Sequence, residues 1–396
     1  MPRFRLHLPT AAALALTLSL PQALADDIEQ RALELARQNL LVDTHIDVPY
    51  RLHREWEDVT GTTEEGDFDY PRAKAGGLNL PFMSIYTPAS SEHDGSAYDL
   101  ANTLIDQVEA LVARAPDKFT MVTSTAEAQA AFEAGKLGLA LGMENGAPIA
   151  GDLDRLRHFY NRGIRYVTLA HSESNHISDS SYDDVRLWQG LSPFGAEVVA
   201  EMNRLGIMVD ISHLSDAAAA EVLQVSEAPV IASHSSLRAL VPDFERNMDD
   251  TTLRALAENG GVIMINFGSS FVTPEANAHR NKFRPAAAAV AERAPAGDPE
   301  AFREAYYSKH PYPFADVTDV ADHIDHVVQV AGVDYVGLGS DYDGVGPTLP
   351  TGLKDVSTYP NLVAELLRRD YSEEDIIKIL GGNLMRVWRE VEARAG

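Results

Sequence analysis

A repeated pattern runs along this chain: a helical stretch of mixed polar and apolar residues, then a Gly, then a short apolar run. It occurs in "AAFEAGKLGLALGMENG", "HFYNRGIRYVTLAHS", "EMNRLGIMVDISHLS", "ALAENGGVIMINFG" and "VVQVAGVDYVGLGSDYDG". A Gly just after a helix is the usual left-handed C-terminal cap. The apolar runs lack strict alternation, which is typical of strands buried on both faces of a parallel sheet. The pattern therefore predicts repeated strand–helix units.

Eight strands are predicted along the chain. They are residues 40–47, 78–87, 137–146, 164–172, 207–215, 229–236, 260–268 and 334–344. Eight strand–helix units in 396 residues predict an α/β fold, a TIM (β/α)8 barrel with insertions. The insertions are residues 48–77 after predicted strand one and 269–316 after predicted strand seven, and both would extend the catalytic face. No GxGxxG turn follows a predicted strand, which disfavours a dinucleotide-binding sheet.

The N-terminus has the three parts of a secretory signal peptide. Arg3 and Arg5 precede the apolar run "AAALALTLSL", and "ALA" ends at Ala25. A membrane anchor is the alternative, but the run is short for a span of about 20 residues. We therefore predict a signal peptide over residues 1–25 and a single TIM-barrel metallopeptidase domain over 26–396. Such a chain is exported, and is periplasmic if its source is a Gram-negative bacterium.

Composition and charge exclude several classes of binding partner. With 45% hydrophobic and 23% charged residues the chain is globular, and its formal charge of −26 argues against nucleic acid or an anionic membrane as partner. The absence of Cys excludes a lipoprotein anchor and any disulfide. A homodimer, if one forms, would be non-covalent.

Ionisable residues stand at the C-terminal ends of the predicted strands, where they include four of the 13 His residues. In strand one, Asp43, His45 and Asp47 are spaced by two and are expected on one side. Asp43 lies deeper, so we expect a structural role for it. The site candidates are His45 and Asp47 (strand one), Glu144 (three), His171 (four), His213 (five), His234 (six) and Asp341 (eight). In a TIM barrel these ends converge on one mouth, where active sites form.

These residue types predict a site for two metal ions. Imidazole and carboxylate together favour zinc, with manganese, iron or cobalt as alternatives. Two ions about 3.5–4 Å apart share a bridging water whose lowered pKa supplies hydroxide at neutral pH. In this interpretation His45 and Asp47 hold one ion, and Glu144 bridges to the other. His213 and His234 hold the second ion, which gives two Zn²⁺ per chain.

Each residue also has a structural alternative. His45 and Asp47 could form a hydrogen-bonded pair, and Glu144 could cap the helix that follows it. A single buried His is more often a core residue than a ligand. His171 could support a metal ligand rather than contact substrate, and Asp341 could belong to a Gly-rich turn. The common position of these residues at strand ends favours the metal site.

The ordered motifs "DTHID", "GMENG", "TLAHSESN", "DISHLS", "ASHSS", "RNMDD", "VGLGSDYDG" and "GGNLMRV" resemble the membrane dipeptidase (renal dipeptidase) family. That family consists of zinc peptidases on a TIM barrel. The resemblance runs from about residue 38 to residue 390, and its ordered motifs make it specific. The family's five zinc ligands correspond to the residues already named: His45, Asp47, Glu144, His213 and His234.

The resemblance implies further roles. His171 corresponds to the family's His that contacts the scissile group, and Arg246 to the Arg that binds the substrate carboxylate. Asp341 corresponds to the family's strand-eight Asp. Two positions beside the ligands, Ile46 and Asn145, differ from mammalian members, and the C-terminal lipid anchor and intersubunit disulfide of those members are not expected.

The sequence therefore predicts an exported dinuclear zinc dipeptidase, whose family tolerates a D-residue at the second position. The metal-bridged hydroxide attacks the peptide carbonyl, and the predicted catalytic set is Asp341, His171 and Glu144. Substrate binding is assigned to His171, Arg246 and Asp341. Arg246 suits a dipeptide better than the alternative of a lactonase or D-aminoacylase, because a lactone has no carboxylate. A non-catalytic metal-binding periplasmic protein is the other alternative, and it would not require Asp341 or His171.

Overall fold

The computed structural model describes residues 19–293 and 298–396. In it, eight parallel strands form a nearly closed barrel in the order β1-β2-β4-β5-β6-β7-β8-β9, and a short strand, β3, pairs with β4 beside it. The strands are β1 (Leu41–Ile46), β2 (Leu78–Tyr86), β3 (Phe119–Met121), β4 (Leu137–Glu144), β5 (Ile164–Thr168), β6 (Met208–Asp210), β7 (Ile231–Ser235), β8 (Val262–Ile265) and β9 (Val336–Leu338). The predicted TIM barrel is confirmed, and each of its eight strands falls inside a predicted range.

Helices follow the strands and cover the outside of the barrel. They are α1 (Ser19–Gln38), α2 (Val48–Arg54), α3 (Tyr70–Gly76), α4 (Ser90–Asp94), α5 (Ala97–Arg114), α6 (Thr125–Glu133), α7 (Leu153–Asn161), α8 (Pro193–Leu205), α9 (Asp216–Val225), α10 (Asp250–Glu258), α11 (Ser269–Val272), α12 (Pro274–Arg293), α13 (Pro299–Lys309), α14 (Val317–Val330), α15 (Tyr359–Arg368), α16 (Glu373–Ile377) and α17 (Asn383–Arg394). Single turns occupy Ala147–Ile149, Val333–Tyr335 and Gly346–Thr348, and a wider turn, Lys378–Gly382, joins α16 to α17.

Local sequence explains where many helices begin and end. Ser192 and Ser215 cap α8 and α9, because each side chain accepts a hydrogen bond from a free backbone N–H of the first turn. Asp249 does the same for α10. Gly206 ends α8 with a φ of 80°, as the helix–Gly–strand pattern predicts.

The barrel closes through the residues that follow β9. The Asp341 N–H donates to the His45 carbonyl (3.1 Å), and the Asp47 N–H donates to the Tyr342 carbonyl (2.9 Å). A parallel bridge also joins Ile46 to Tyr342. The closing seam therefore holds three of the predicted site residues side by side.

The starts of the strands enclose an apolar interior, which α17 covers. The Phe82 ring lies 5.6 Å from Tyr166 and 5.3 Å from Trp388 of α17, and all three side chains are fully buried. Val42 belongs to the same apolar cluster. Because this end is filled, the polar chemistry is confined to the opposite ends of the strands.

Three long connections extend that opposite face. The predicted insertion after strand one contains α2 and α3, and the one after strand seven contains α11, α12 and α13. The third connection, residues 169–192 between β5 and α8, was not predicted as an insertion. Most of the predicted signal peptide lies outside the described residues. Among the described residues, none of the helices combines the length and apolar character that a membrane span requires.

Candidate metal centre

The predicted site residues lie together at the C-terminal ends of the barrel strands. Three groups of side chains have ligand atoms within 4.8 Å of one another, and between them they contain all seven candidates. The groups are His45, Glu144 and His234; Glu144, His171 and His213; and His45, Asp47 and Asp341. The shared members join the three groups into one continuous cluster.

A bulge in β1 decides which residues of "DTHID" reach this cluster. Asp43 pairs with Pro81 of β2 and Ile46 with Met83, so three residue steps on β1 match two on β2. His45 consequently points into the barrel, where its Nδ1 lies 2.9 Å from the Tyr166 hydroxyl. Side chains in this part of β1 therefore do not alternate strictly between the two faces of the strand.

The expectation that Asp43 shares a side with His45 is therefore wrong. Its carboxylate accepts a hydrogen bond from the Tyr359 hydroxyl of α15 (2.5 Å) and others from the backbone N–H groups of His45 (3.0 Å) and Ser340 (3.1 Å). Burial raises the pKa of Asp43 despite these bonds. The structural role predicted for this residue is what its contacts provide, since they tie β1 to β9 and α15.

The carboxylate of Glu144 faces imidazoles with both of its oxygens. Oε2 lies 3.4 Å from His45 Nε2, whereas Oε1 lies 3.1 Å from His213 Nε2 and 3.3 Å from His234 Nε2. The helix that follows is capped by Asp152, so Glu144 does not cap it. One carboxylate oxygen toward each of two imidazole groups is the arrangement that a ligand bridging two ions requires.

A chain of hydrogen bonds orients His234. The Ser233 hydroxyl lies 2.6 Å from Asp210 Oδ2 and 2.8 Å from His234 Nδ1. Because a carboxylate only accepts, the Ser233 hydroxyl donates to Asp210 and accepts from the Nδ1–H of His234. This leaves the His234 Nε2 lone pair directed at Glu144 and at His213, whose own Nε2 is 2.8 Å away. Such support of a ligand through its other ring nitrogen is usual at metal sites.

Several residues at the strand ends have left-handed backbone conformations that non-Gly residues rarely adopt. The φ angles are 81° at Asn145, 69° at His213 and 64° at Asp341. Conformations of this kind cost about 1–3 kcal/mol each and cluster at functional sites. Asn145 is among the better-tolerated residues there, and its side chain donates to the Thr87 carbonyl (2.9 Å). Ile46, the other departure from the mammalian pattern, is fully buried on the outer side of β1.

The electrostatics of the cluster suit cation binding. Burial opposes ionisation of Glu144, but the imidazoles of His45 and His171 hold its pKa well below the usual value. Burial lowers the pKa of His213 and of His234 far below that of a free imidazole. Neutral imidazoles and ionised carboxylates are the states that ligate metals.

His45 differs from the other two imidazoles. Burial lowers its pKa, but Tyr166, Glu144 and Asp47 together raise it well above the usual value. Its Nε2 lies 3.5 Å from Asp47 Oδ2 and has no hydrogen-bond partner among the described residues. The carboxylates therefore attract positive charge to this position, which a proton or a metal ion satisfies.

Gly344 leaves space for two carboxylates. A Cβ at this position would lie 2.1 Å from Asp341 Oδ1 and 2.2 Å from Asp47 Oδ2. The other Asp341 oxygen accepts a hydrogen bond from Asn266 Nδ2 (2.7 Å). Burial raises the pKa of Asp341 well above normal, and the charges of Asp47 and Glu144 add to the effect.

The chain's donor set fits metal binding. Buried polar atoms without a hydrogen-bond partner among the described residues include His45 Nε2 and Asp47 Oδ1. Glu144 Oε2 faces His45 and Oε1 faces His213 and His234, while the rings of His45 and His234 stack with their centroids 3.7 Å apart. Mixed imidazole and carboxylate ligands are those of zinc and related transition metals.

His171 and Arg246 lie on two sides of the cluster. His171 Nε2 is 3.4 Å from Glu144 Oε1, and its ring is 4.2 Å from that of His213. The Arg246 guanidinium donates to the Ser235 hydroxyl and to the His234 carbonyl, each at 2.7 Å, while its Nε has no partner among the described residues. Burial lowers the pKa of this Arg.

A cavity of about 540 Å³ opens above the cluster. Its floor includes Asp47, Glu144 and Asp341, and its walls are aromatic and basic side chains from the three long connections. The basic ones are Arg54, Arg280, Arg284 and Arg303. This volume is in the range that binds small molecules.

Sequence reasoning did not single out four residues that support the cluster: Tyr166, Asp210, Ser233 and Asn266. Asn266 follows β8, the one barrel strand besides β2 for which no strand-end residue was proposed, so the same positional rule could have found it. Asp210 stands three residues before His213 in "DISH". Tyr166 carried no signal, because only the three-dimensional structure brings its hydroxyl to His45.

Comparison with known proteins gives one family and several related structures. The family model described as membrane dipeptidase (peptidase family M19) matches residues 29–396. The probable dipeptidase PvdM from Pseudomonas aeruginosa is 29% identical, with a TM-score of 0.81 over 93% of this chain and 100% of that one. A metallo peptidase from Rhodobacter sphaeroides, liganded with a phosphinate mimic of the dipeptide L-Ala-D-Ala, is 25% identical, with a TM-score of 0.74 over 89% and 99%.

Proposed function

The chain belongs to the membrane dipeptidase family, and on that premise we propose that it is a dinuclear zinc dipeptidase. It hydrolyses the peptide bond of dipeptides, including those whose second residue has the D configuration. The observation that carries the proposal is the Glu144 carboxylate, whose two oxygens face different imidazole groups. The Rhodobacter sphaeroides relative is liganded with a phosphinate mimic of L-Ala-D-Ala, which supports the proposal that dipeptides with a D-residue are substrates.

His45 and Asp47 would hold one zinc ion, His213 and His234 the other, and Glu144 both. Bound zinc lowers the pKa of a water molecule and polarises a carbonyl group, which is the chemistry that peptide hydrolysis requires. The short distances from Glu144 to these imidazoles support this division of the ligands. Elemental analysis distinguishes zinc from the alternatives, which are manganese, iron and cobalt.

Asp341 would move the proton in this reaction. Its Oδ1 is close to Asp47 Oδ2 across Gly344, at the floor of the cavity, and Asn266 holds the other oxygen in place. A carboxylate of raised pKa takes a proton readily and passes it to the leaving amine. His171, whose Nε2 faces the same cluster, would donate to the carbonyl oxygen as negative charge develops on it.

Arg246 would bind the free carboxylate of the dipeptide. It is buried, two of its nitrogens are held by Ser235 and His234, and its Nε has no described partner. A buried cation without a carboxylate partner among the described residues is costly until an anion arrives. This favours a substrate with a carboxylate over a lactone. Export, the signal peptide over residues 1–25 and a single domain over 26–396 also belong to this proposal.

The decisive experiment combines metal analysis with a substrate series. Protein purified without chelator should contain about two zinc ions per chain, and chelation should abolish hydrolysis of L-Ala-L-Ala and L-Ala-D-Ala until zinc is returned. The C-terminal amide of each dipeptide should be a much poorer substrate. An active metal-free protein would refute the dinuclear proposal, and equal rates on acid and amide would refute the role of Arg246.

A further inference from the structure

Three Arg side chains that line the cavity, Arg54, Arg280 and Arg284, have no salt bridge among the described residues, and two of them are neighbours on one helix. Arg280 and Arg284 stand one turn apart on α12, and both line the cavity. Their neighbour in the wall, Arg303, pairs with Glu300. Acidic residues outnumber basic ones by 59 to 33 in this chain, so a pair of cations without a carboxylate is unexpected unless a ligand supplies one.

The two guanidinium groups share one aromatic neighbour. Arg280 lies 5.1 Å and Arg284 5.7 Å from the centre of the Tyr182 ring. The ring holds both groups at the cavity by cation–π contact but does not neutralise them. Partial burial and the charge of Arg280 lower the pKa of Arg284, although Arg284 is still exposed at the cavity and Arg280 is half-buried. The pair therefore carries uncompensated positive charge toward the cavity.

An aromatic cluster connects this pair to Arg246. Arg280 lies 5.3 Å from the Phe244 ring, which is 5.6 Å from the Phe271 ring, and Arg246 lies 5.4 Å from Phe271. This aromatic cluster therefore links the buried Arg246 to the two cations of the cavity wall. In the proposed function Arg246 binds the C-terminal carboxylate, and the side chain of the second residue would then extend along the aromatic cluster toward Arg280 and Arg284.

We propose that Arg280 and Arg284 form a second anion site that binds the side-chain carboxylate of an acidic C-terminal residue, Asp or Glu. This inference rests on the proposed dipeptidase function and names its substrate class. A dipeptide with two carboxylates is repelled by a protein of formal charge −26. An unpaired cationic wall at the cavity offsets that repulsion locally and selects such substrates from neutral ones.

The test compares Glu with Gln, which differ in charge but hardly in shape. We expect the zinc-loaded protein to hydrolyse Ala-Glu with a kcat/KM at least tenfold above that of Ala-Gln, with the second residue in the configuration that the enzyme prefers. A hydrogen bond to a charged group corresponds to about a tenfold to hundredfold change. The double variant R280Q/R284Q should lose this preference through KM, while its kcat/KM for Ala-Gln changes less than about threefold.

Lys282 provides the matched control, because it is exposed on the same helix and does not line the cavity. K282Q removes the same charge and should keep the preference for Glu. Equal kcat/KM values for Ala-Glu and Ala-Gln in the unaltered protein would overturn the inference. So would a double variant that loses both substrates equally, or a K282Q variant that loses the preference as well.

Binding of the free amino acids separates this inference from the proposed function. Calorimetric titration with Glu and Gln, in both configurations, reports the anion site without requiring turnover. If no dipeptide is hydrolysed but Glu still binds more tightly than Gln, and R280Q/R284Q removes the difference, the dipeptidase proposal fails and the anion site stands. If Glu shows no advantage while dipeptides are hydrolysed, the anion site fails and the dipeptidase stands.

Discussion

Replacement of Ser233 by Ala should weaken one zinc site without emptying the other. The Ser233 hydroxyl is the only described link between Asp210 Oδ2 (2.6 Å) and His234 Nδ1 (2.8 Å), and it fixes the proton on Nδ1. Without it, His234 can carry its proton on Nε2, the atom that faces Glu144. The imidazole must then release or move that proton before it can act as a ligand.

The size of the effect follows from the contacts that are lost. Asp210 Oδ2 keeps the hydrogen bond from the Thr168 hydroxyl (2.5 Å), so no buried carboxylate is left without a partner. The remaining loss is one buried hydrogen bond to the imidazole, about 1–3 kcal/mol. Loss of an outer partner of a metal-bound His typically costs 10–100-fold in affinity, which is about 1.4–2.8 kcal/mol. We therefore expect one dissociation constant to rise by about 10–100-fold and the other to change little.

The assay is a competitive titration of zinc into the metal-free protein against a chromophoric chelator, followed by activity measurements at limiting and at excess zinc. S233A should be deficient at limiting zinc and largely restored at excess zinc. Ser236 provides the control, because its buried hydroxyl donates to the Asn266 carbonyl (3.0 Å) and has no hydrogen bond to a proposed ligand among the described residues. Unchanged zinc affinity in S233A, or an equal loss in S236A, would refute the role assigned to the Asp210–Ser233–His234 chain.

Three further predictions concern the floor of the cavity and the loop beside it. D341N should retain about two zinc ions by elemental analysis while kcat falls by about 10²–10⁴-fold; loss of a metal ion would instead make Asp341 a ligand. G344A should lower zinc affinity and kcat together, because its Cβ would displace the carboxylates of Asp47 and Asp341, whereas G61A, with no atom closer than 3.9 Å, should behave as the unaltered protein. Burial and the charge of Asp343 raise the pKa of Asp67 to about 7, so the folded protein binds more protons than the unfolded chain between about pH 4 and pH 7. The free energy of unfolding of the protein should therefore fall as pH rises through that window. D67N should reduce this fall by on the order of 1–2 kcal/mol in denaturant titrations. E64Q, which changes an exposed acid of the same loop, should leave the fall unchanged.

The barrel was predictable because its signals are local and repeated. Most barrel strands are apolar runs that follow a Gly, β1 and β7 being the exceptions, and each barrel strand lies within its predicted range. The positions of His171, His213, His234 and Glu144 followed from one rule, that the ends of parallel strands meet. β3 was not predicted; it is a short strand that pairs with β4 outside the order of the barrel.

The features that were not predicted from the sequence have a different physical origin, because they depend on contacts between distant segments of the chain. A bulge in β1 turned Asp43 toward α15, although a strict period of two places it beside His45. The supporting residues Tyr166 and Asn266 act through partners more than 70 positions away in the sequence. The insertion between β5 and α8 supplies Tyr182 to the cavity, yet its sequence lacks the periodicity that marks a helix or a strand.

The seam between β9 and β1 makes barrel closure and site geometry interdependent. The same backbone bonds that join the strands fix the spacing of His45 and Asp47 on one side and Asp341 on the other. Asp43 secures this seam from outside, because it accepts the Ser340 N–H while the Tyr359 hydroxyl holds it in place. Since a buried N–H without an acceptor costs about 1–3 kcal/mol, the hydrogen bond from Ser340 helps to fix the seam beside the ligands. Asp43 does not reach the cluster, but it supports the cluster by positioning the strands that carry Asp47 and Asp341.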